Sequence, residues 1–270
     1  SEDFQKERVQ SANASLDAMF GGGLARGSST LVTGPSGCGK STVAMQYAYA
    51  AAERGDRAIV YAFDEVLRTA KARATALGMN VDAAIERGML SMFQIDPAEM
   101  SPGEFISQIR SDVEERDTRV VVIDSLNGLL NSMPDERDII LQLHELIAYL
   151  NQKGVLTILI LALQGLVGNM QAQIDVSYLA DTVVLLRYFE ARGSIRQVIS
   201  VLKQRVGQHE RSLRELHFSA KGLELGEPLQ GFQGVLTGVP ELLGSSSEGQ
   251  LIDRDDSSMR SEPPAPGRVS

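Results

Sequence analysis

Gly34-Pro35-Ser36-Gly37-Cys38-Gly39-Lys40-Ser41 decides how this chain is read. It is a complete G-x-x-x-x-G-K-[ST] phosphate-binding loop. The apolar run Thr30-Leu31-Val32-Thr33 precedes it and Thr42-Val43-Ala44-Met45-Gln46-Tyr47-Ala48 follows, so the pattern predicts a buried strand, a tight turn and a helix. The glycines permit φ > 0 and close approach of the backbone to a ligand. The helix start then aims its free N–H groups and the positive end of its dipole at an anion. In such a loop Lys40 reaches the β- and γ-phosphates of a nucleoside triphosphate such as ATP. Ser41 ligates Mg2+, and Pro35, Ser36, Cys38 and Thr42 complete the cradle.

Composition bounds the rest. The 270 residues suffice for one large α/β domain with a full core. Hydrophobic and charged fractions of 43% and 23% are those of an ordinary globular chain, and no internal repeat is visible, so one domain is the economical count. A net charge of −9 argues against a protein built to grip a nucleic-acid backbone, because such proteins cluster Lys and Arg against phosphates. The single cysteine, Cys38, has no disulfide partner within the chain and points to a reducing compartment. No run approaches 18 consecutive apolar residues and no signal peptide is visible, so the expected location is the cytoplasm, with no membrane partner. The chain starts at Ser1 without a methionine, which is read as a processed or excised piece of something longer.

Along the chain, Ser15-Leu16-Asp17-Ala18-Met19-Phe20 predicts a short helical turn stopped by Gly21-Gly22-Gly23. Strands are predicted over 57–63, 89–95, 119–125 and 155–161, and helices over 67–77, 81–87 and 103–115. Val120-Val121-Val122-Ile123 is a continuous apolar run suited to a central parallel strand buried on both faces. Asp124 closes it. A carboxylate there emerges at the C-terminal edge of the sheet, where it either caps a helix or holds Mg2+ through water opposite Ser41. Ser132-Met133-Pro134-Asp135 opens a long amphipathic helix carrying Ile139, Leu143, Leu146, Ile147 and Leu150 on one face. Strands over 181–186, 197–203 and 213–218 follow. Residues 1–243 are expected to form the folded domain. Residues 244–270, dominated by Ser, Gly and Pro, are expected to be a disordered tail.

With both nucleotide motifs placed, the chain resembles the RecA-like ATPase domain of the KaiC family, the cyanobacterial clock protein and its bacterial and archaeal relatives. The resemblance covers about residues 8–243. It is carried by Ser15-Leu16-Asp17, Gly21 to Leu24, the phosphate loop, Asp64-Glu65, Val122-Ile123-Asp124-Ser125, Ala180 to Leu186, Lys203-Gln204-Arg205 and Gly226-Glu227-Pro228-Leu229 with Phe232. It implies an α/β fold of the RecA-like P-loop class: a mostly parallel twisted sheet, flanking helices and a C-terminal run of strands. It also implies a homo-oligomeric six-membered ring with ATP and Mg2+ between neighbours, and clock or signalling proteins as partners. By position, the pair that supplies the general base is Asp64 and Glu65. The residues alone read equally as acids complementing a helix N-terminus. Asp64 stands where the family has glutamate, which withdraws the carboxylate by one methylene. Lys203, Arg205 and His209 match positions that reach the neighbour's γ-phosphate, whereas spacing alone reads Lys203 and Arg205 as the solvated face of a strand. Val206 stands where the family favours glycine. Ser177 falls where the kinase half of KaiC has its serine phosphoacceptor, with Tyr178 in place of the neighbouring threonine.

Three functions compete on these residues. The first is an oligomeric ATPase with a serine autokinase step. The second is a DNA-dependent ATPase of the RecA/RadA type, against which Gln164 to Tyr178, the segment corresponding to a DNA-binding loop, contains no Lys or Arg. The third is a nucleotide-dependent interaction module with negligible turnover.

Overall fold

The computed structural model describes residues 6–131, 136–164, 176–191, 193–230, 232–233, 235–237 and 241–242. The predicted helix opening at Ser132–Asp135, most of the segment from Gln164 to Tyr178 and the tail from residue 244 lie outside these residues.

Two short strands, β1 (Arg8–Val9) and β2 (Leu24–Ala25), pair antiparallel around α1 (Ala14–Met19). Asn13 caps α1 by accepting the Leu16 N–H. Asp17 is buried and accepts from the Ser11 N–H at 2.9 Å and the Tyr47 hydroxyl at 3.3 Å. Its carbonyl takes the N–H groups of Gly22 and Gly23. The Ser15-Leu16-Asp17 triplet therefore fixes the redirection of the chain at the glycines, ahead of the first long strand.

The main sheet has nine strands: β3 (Ser29–Gly34), β4 (Arg57–Ala62), β5 (Leu90–Gln94), β6 (Thr118–Asp124), β7 (Leu156–Ala162), β8 (Thr182–Ala191), β9 (Ser194–Gln204), β10 (Arg214–Ser219) and β11 (Gly222–Pro228). Their order is β11-β10-β9-β8-β3-β7-β6-β4-β5. The run from β8 to β5 is parallel; β9, β10 and β11 add antiparallel. Sequence predicted three closing strands in the sheet, and the structure has four. Gly222-Leu-Glu-Leu-Gly-Glu-Pro228 carries two glycines and a proline, which read as a turn, yet at the sheet edge it needs only one partner.

Helices α2 (Lys40–Glu53), α3 (Leu67–Ala76) and α4 (Val81–Glu86) cover one face, while α5 (Pro102–Arg116), α6 (Leu126–Asn131) and α7 (Glu136–Gln152) cover the other. The alternation along β6 shows why its run is apolar throughout: Val120 and Val122 enter the first core, Val121 and Ile123 the second. Ile139, Leu143, Leu146, Ile147 and Leu150 of α7 all join the second core, as their spacing predicts. α5 begins with a capping box between Ser101 and Glu104 and has Pro102 in its first turn.

This topology sets the site. Strand β7 lies between β3 and β6, so the phosphate loop and Asp124 leave the same sheet edge about 10 Å apart, two strand spacings. The Phe63 N–H bonds the Asp124 carbonyl at 2.7 Å, which carries β4's continuation, Asp64 and Glu65, to the same place.

Candidate functional site: a phosphate-loop cleft

The loop joins β3 to α2 as the sequence predicts. Gly39 caps α2 at φ 101°, and a Cβ on it would lie 2.2 Å from Cζ of Phe218 on β10. The loop is thus clamped from above by an aromatic ring that no motif marks. A cleft of about 570 Å³ opens beside it, lined by Ser36, Gly37, Gly39, Lys40, Ser41 and Thr42 of the loop region. Opposite stand Asp64, Glu65, Arg73, Asp124 and Ser125, with Ala76, Leu77 and Phe218 as an apolar wall.

Lys40 is 7% exposed, and its ammonium donates to the Pro35 carbonyl at 2.6 Å, with the Cys38 sulfur 3.9 Å away. Burial pushes its pKa down, against the opposing pull of Cys38 and Asp124. Burial likewise raises the Cys38 thiol. Asp124 is pushed up by burial too, with Glu65 adding to the rise; the Ser41 hydrogen bond and the charges of Arg73 and Lys40 oppose it. Ser41 and Asp124, one from each motif, both line the cleft. A hydroxyl and a carboxylate are hard oxygen donors, the set that suits Mg2+ sharing its remaining positions with phosphate and water. Among the described residues, no group of three or more His, Cys, Asp and Glu forms a metal cage.

The acidic pair is engaged as well. The Ser125 hydroxyl donates to Asp64, and Arg73 of α3 pairs with Glu65. Gly128 in α6 allows this approach: a Cβ there would stand 2.6 Å from the Phe63 Cβ and 3.2 Å from an Asp64 oxygen. Arg73 and Phe218 were missed in the sequence. Each sits at an unremarkable position, a helix surface and a strand next to the sheet edge, and only the fold brings it to the cleft.

A family model described as "ATPase: KaiC" matches residues 9–230, most of the chain. The chain belongs to the KaiC family of ATPases. It is 26% identical over 246 residues to "Circadian clock oscillator protein KaiC" of Thermostichus vulcanus, covering 90% of this chain and 47% of that protein. It is 28% identical to "Circadian clock protein KaiC3" of Synechocystis sp., covering 90% and 48%, and 25% identical to "Circadian clock oscillator protein KaiC" of Synechococcus elongatus, covering 90% and 47%. The chain spans about half the length of these curated relatives.

In this KaiC-family domain the remaining predicted residues lie elsewhere. Lys203 near the end of β9 is level with Val183 and, through it, with Leu31 near the start of β3. Its ammonium donates to the carbonyls of Ala180 at 2.8 Å and Ser177 at 3.2 Å. Arg205, just past β9, donates its backbone N–H to the Asp181 carbonyl; its guanidinium contacts the Asp181 carboxylate at 3.5 Å and the Tyr178 carbonyl at 3.3 Å. Asp181 in turn accepts the Ser29 N–H at 3.0 Å, so Arg205 is level with the first residue of β3. The phosphate loop leaves β3 five residues later, roughly 17 Å along the strand. His209 follows in a loop held to α1 by the Glu210 N–H on the Met19 carbonyl. The KaiC-type cleft therefore gathers Lys40, Ser41, Asp64, Glu65 and Asp124, while Lys203, Arg205, His209 and Ser177 collect toward the opposite sheet edge. Among the described residues, no helix is long and apolar enough to cross a membrane.

Proposed function

We propose that this chain is an ATP-hydrolysing subunit of a homo-oligomeric, six-membered ring, working with Mg2+ in the cytoplasm and without DNA. Lys40 binds the β- and γ-phosphates, Ser41 and Asp124 hold the metal, and Asp64 with Glu65 orients and deprotonates the attacking water. Lys203 and Arg205, with His209, act on the nucleotide of the neighbour. The observation that carries this reading is their placement: cations level with the first half of β3 lie away from the loop at its end, which supports a phosphate of another subunit as their target. A cation supplied across an interface stabilises charge on the transferring phosphoryl group and ties assembly to turnover. Ser177 is the candidate phosphoacceptor, supported by its backbone carbonyl contact with Lys203, which keeps the residue beside that ammonium. The lone cysteine supports a reducing compartment, and clock or signalling partners rest on the names of the relatives alone.

The test is turnover, mass and phosphate mapping on one preparation. With Mg·ATP the wild type should assemble and release phosphate, and Lys40→Ala should lose phosphate release. Phosphate should map to Ser177 and vanish in Ser177→Ala. Unchanged turnover in Lys40→Ala contradicts the ATPase assignment, a monomer at saturating ATP contradicts the ring, and absence of phosphate on Ser177 removes the kinase step alone.

A further inference from the structure

The cleft is lined by three carboxylates, Asp64, Glu65 and Asp124, against two cations, Lys40 and Arg73, so it carries net negative charge before a polyanionic substrate arrives. Arg73 supplies half of the positive charge, and the phosphate loop does not account for it. It shares one face of α3 with Ala76 and Leu77, the i, i+3 and i+4 neighbours that also line the cleft, so the guanidinium is aimed inward by the helix. Among the described residues its side chain bonds Glu65 alone, through Nη1, and the residue lines the cleft. The side chains of the pair are 35% and 26% exposed, a setting in which an ion pair contributes little to stability.

We propose that Arg73 is a γ-phosphate contact supplied by the same chain as the phosphate loop. On entry of a nucleoside triphosphate, its guanidinium exchanges the Glu65 carboxylate for γ-phosphate oxygens. The exchange is favourable because a terminal phosphate presents more charge and a better match to the planar donor fork than one carboxylate oxygen. It also releases Glu65 beside Asp64 only when the third phosphate is present, so Arg73 senses the γ-phosphate. This inference rests on nucleotide binding by the loop.

The experiment measures calorimetric affinities of the full chain, with Mg2+, for ADP and for the non-hydrolysable triphosphate AMP-PNP. Arg73→Gln should weaken AMP-PNP on the order of tenfold or more, the weight of one charge-assisted hydrogen bond, and leave ADP within about twofold. Arg73→Lys should recover part of the loss. Glu65→Gln, which frees the guanidinium, should tighten AMP-PNP and leave ADP unchanged. Equal weakening of both nucleotides by Arg73→Gln, or no change in either, overturns the proposal, and retained ADP binding certifies that the variant is folded. If the wild type binds neither nucleotide, or Lys40→Ala leaves both affinities intact, the phosphate-loop reading fails and takes the Arg73 contact with it.

Discussion

Replacing Gly39 by alanine tests whether the phosphate loop has the shape described. Two independent penalties meet at this residue. Its φ of 101° lies beyond the left-handed well of an L-residue, and such strain costs about 1–3 kcal/mol. The new Cβ would also stand 2.2 Å from Cζ and 2.5 Å from Cε2 of Phe218, so the ring has to withdraw by more than 1 Å. Forcing a methyl into such a contact costs a further 1–3 kcal/mol or so. Together the loss is about 2–6 kcal/mol, a fall in melting temperature of roughly 4–24 °C for a domain of this size. Thermal unfolding should be followed for Gly39→Ala, Phe218→Ala and the double variant. With the ring gone, the overpacking disappears and only the backbone strain stays, so Gly39→Ala should cost about half as much in the Phe218→Ala background. An equal cost in both backgrounds would show that Phe218 does not sit on the loop. No cost in either would show that Gly39 is not held at positive φ.

Asp124→Asn should stabilise the nucleotide-free, EDTA-treated protein at neutral pH while abolishing Mg2+-dependent turnover. Burial raises the Asp124 carboxyl, so the native state binds more protons than the unfolded one and loses stability as pH rises through that window. The advantage of the variant should therefore vanish as pH falls below the carboxylate range; a variant that melts lower at pH 7 contradicts the burial argument. Tyr61→Phe removes the hydroxyl that donates at 2.7 Å to the buried Asp112, leaving, among the described residues, Arg116 on that carboxylate at 3.3 Å. The unfolding free energy from denaturant titration should fall by about 1–3 kcal/mol with an unchanged slope, and a neutral substitution would show that Asp112 finds another donor.

The alternation of strand and helix, the loop and Asp124 were legible because their signals are local: a contiguous motif, apolar runs and a helical period. β11 was not, since its glycines and proline mimic a turn and its pairing with β10 is set by the sheet edge. α6 was not, because Leu126-Asn-Gly-Leu-Leu-Asn131 is too short for a period and contains a glycine, Gly128, whose purpose is the close approach to Phe63 and Asp64. The position of Lys203 and Arg205 illustrates a different limit. Their alternation along the chain suits a solvated strand face, and it takes the register of β9 on β8, and of β8 on β3, to place them far from their own loop. Arg73 and Phe218 carry no spacing signal, because what they touch is brought to them by other strands.

The central claim is that a complete site is built from two chains, and mixing two inactive variants tests it directly. Lys40→Ala lacks the phosphate contact of its own loop, and Arg205→Ala lacks the cation offered to a neighbour. In a mixed assembly, an Arg205→Ala loop beside a Lys40→Ala neighbour has every group it requires. Each variant alone should be inactive, and mixed assemblies, verified by mass, should recover a fraction of the ATP turnover that peaks near equal proportions. Mixed assemblies that stay inactive at every ratio, or Arg205→Ala protein that turns over ATP normally on its own, would contradict it.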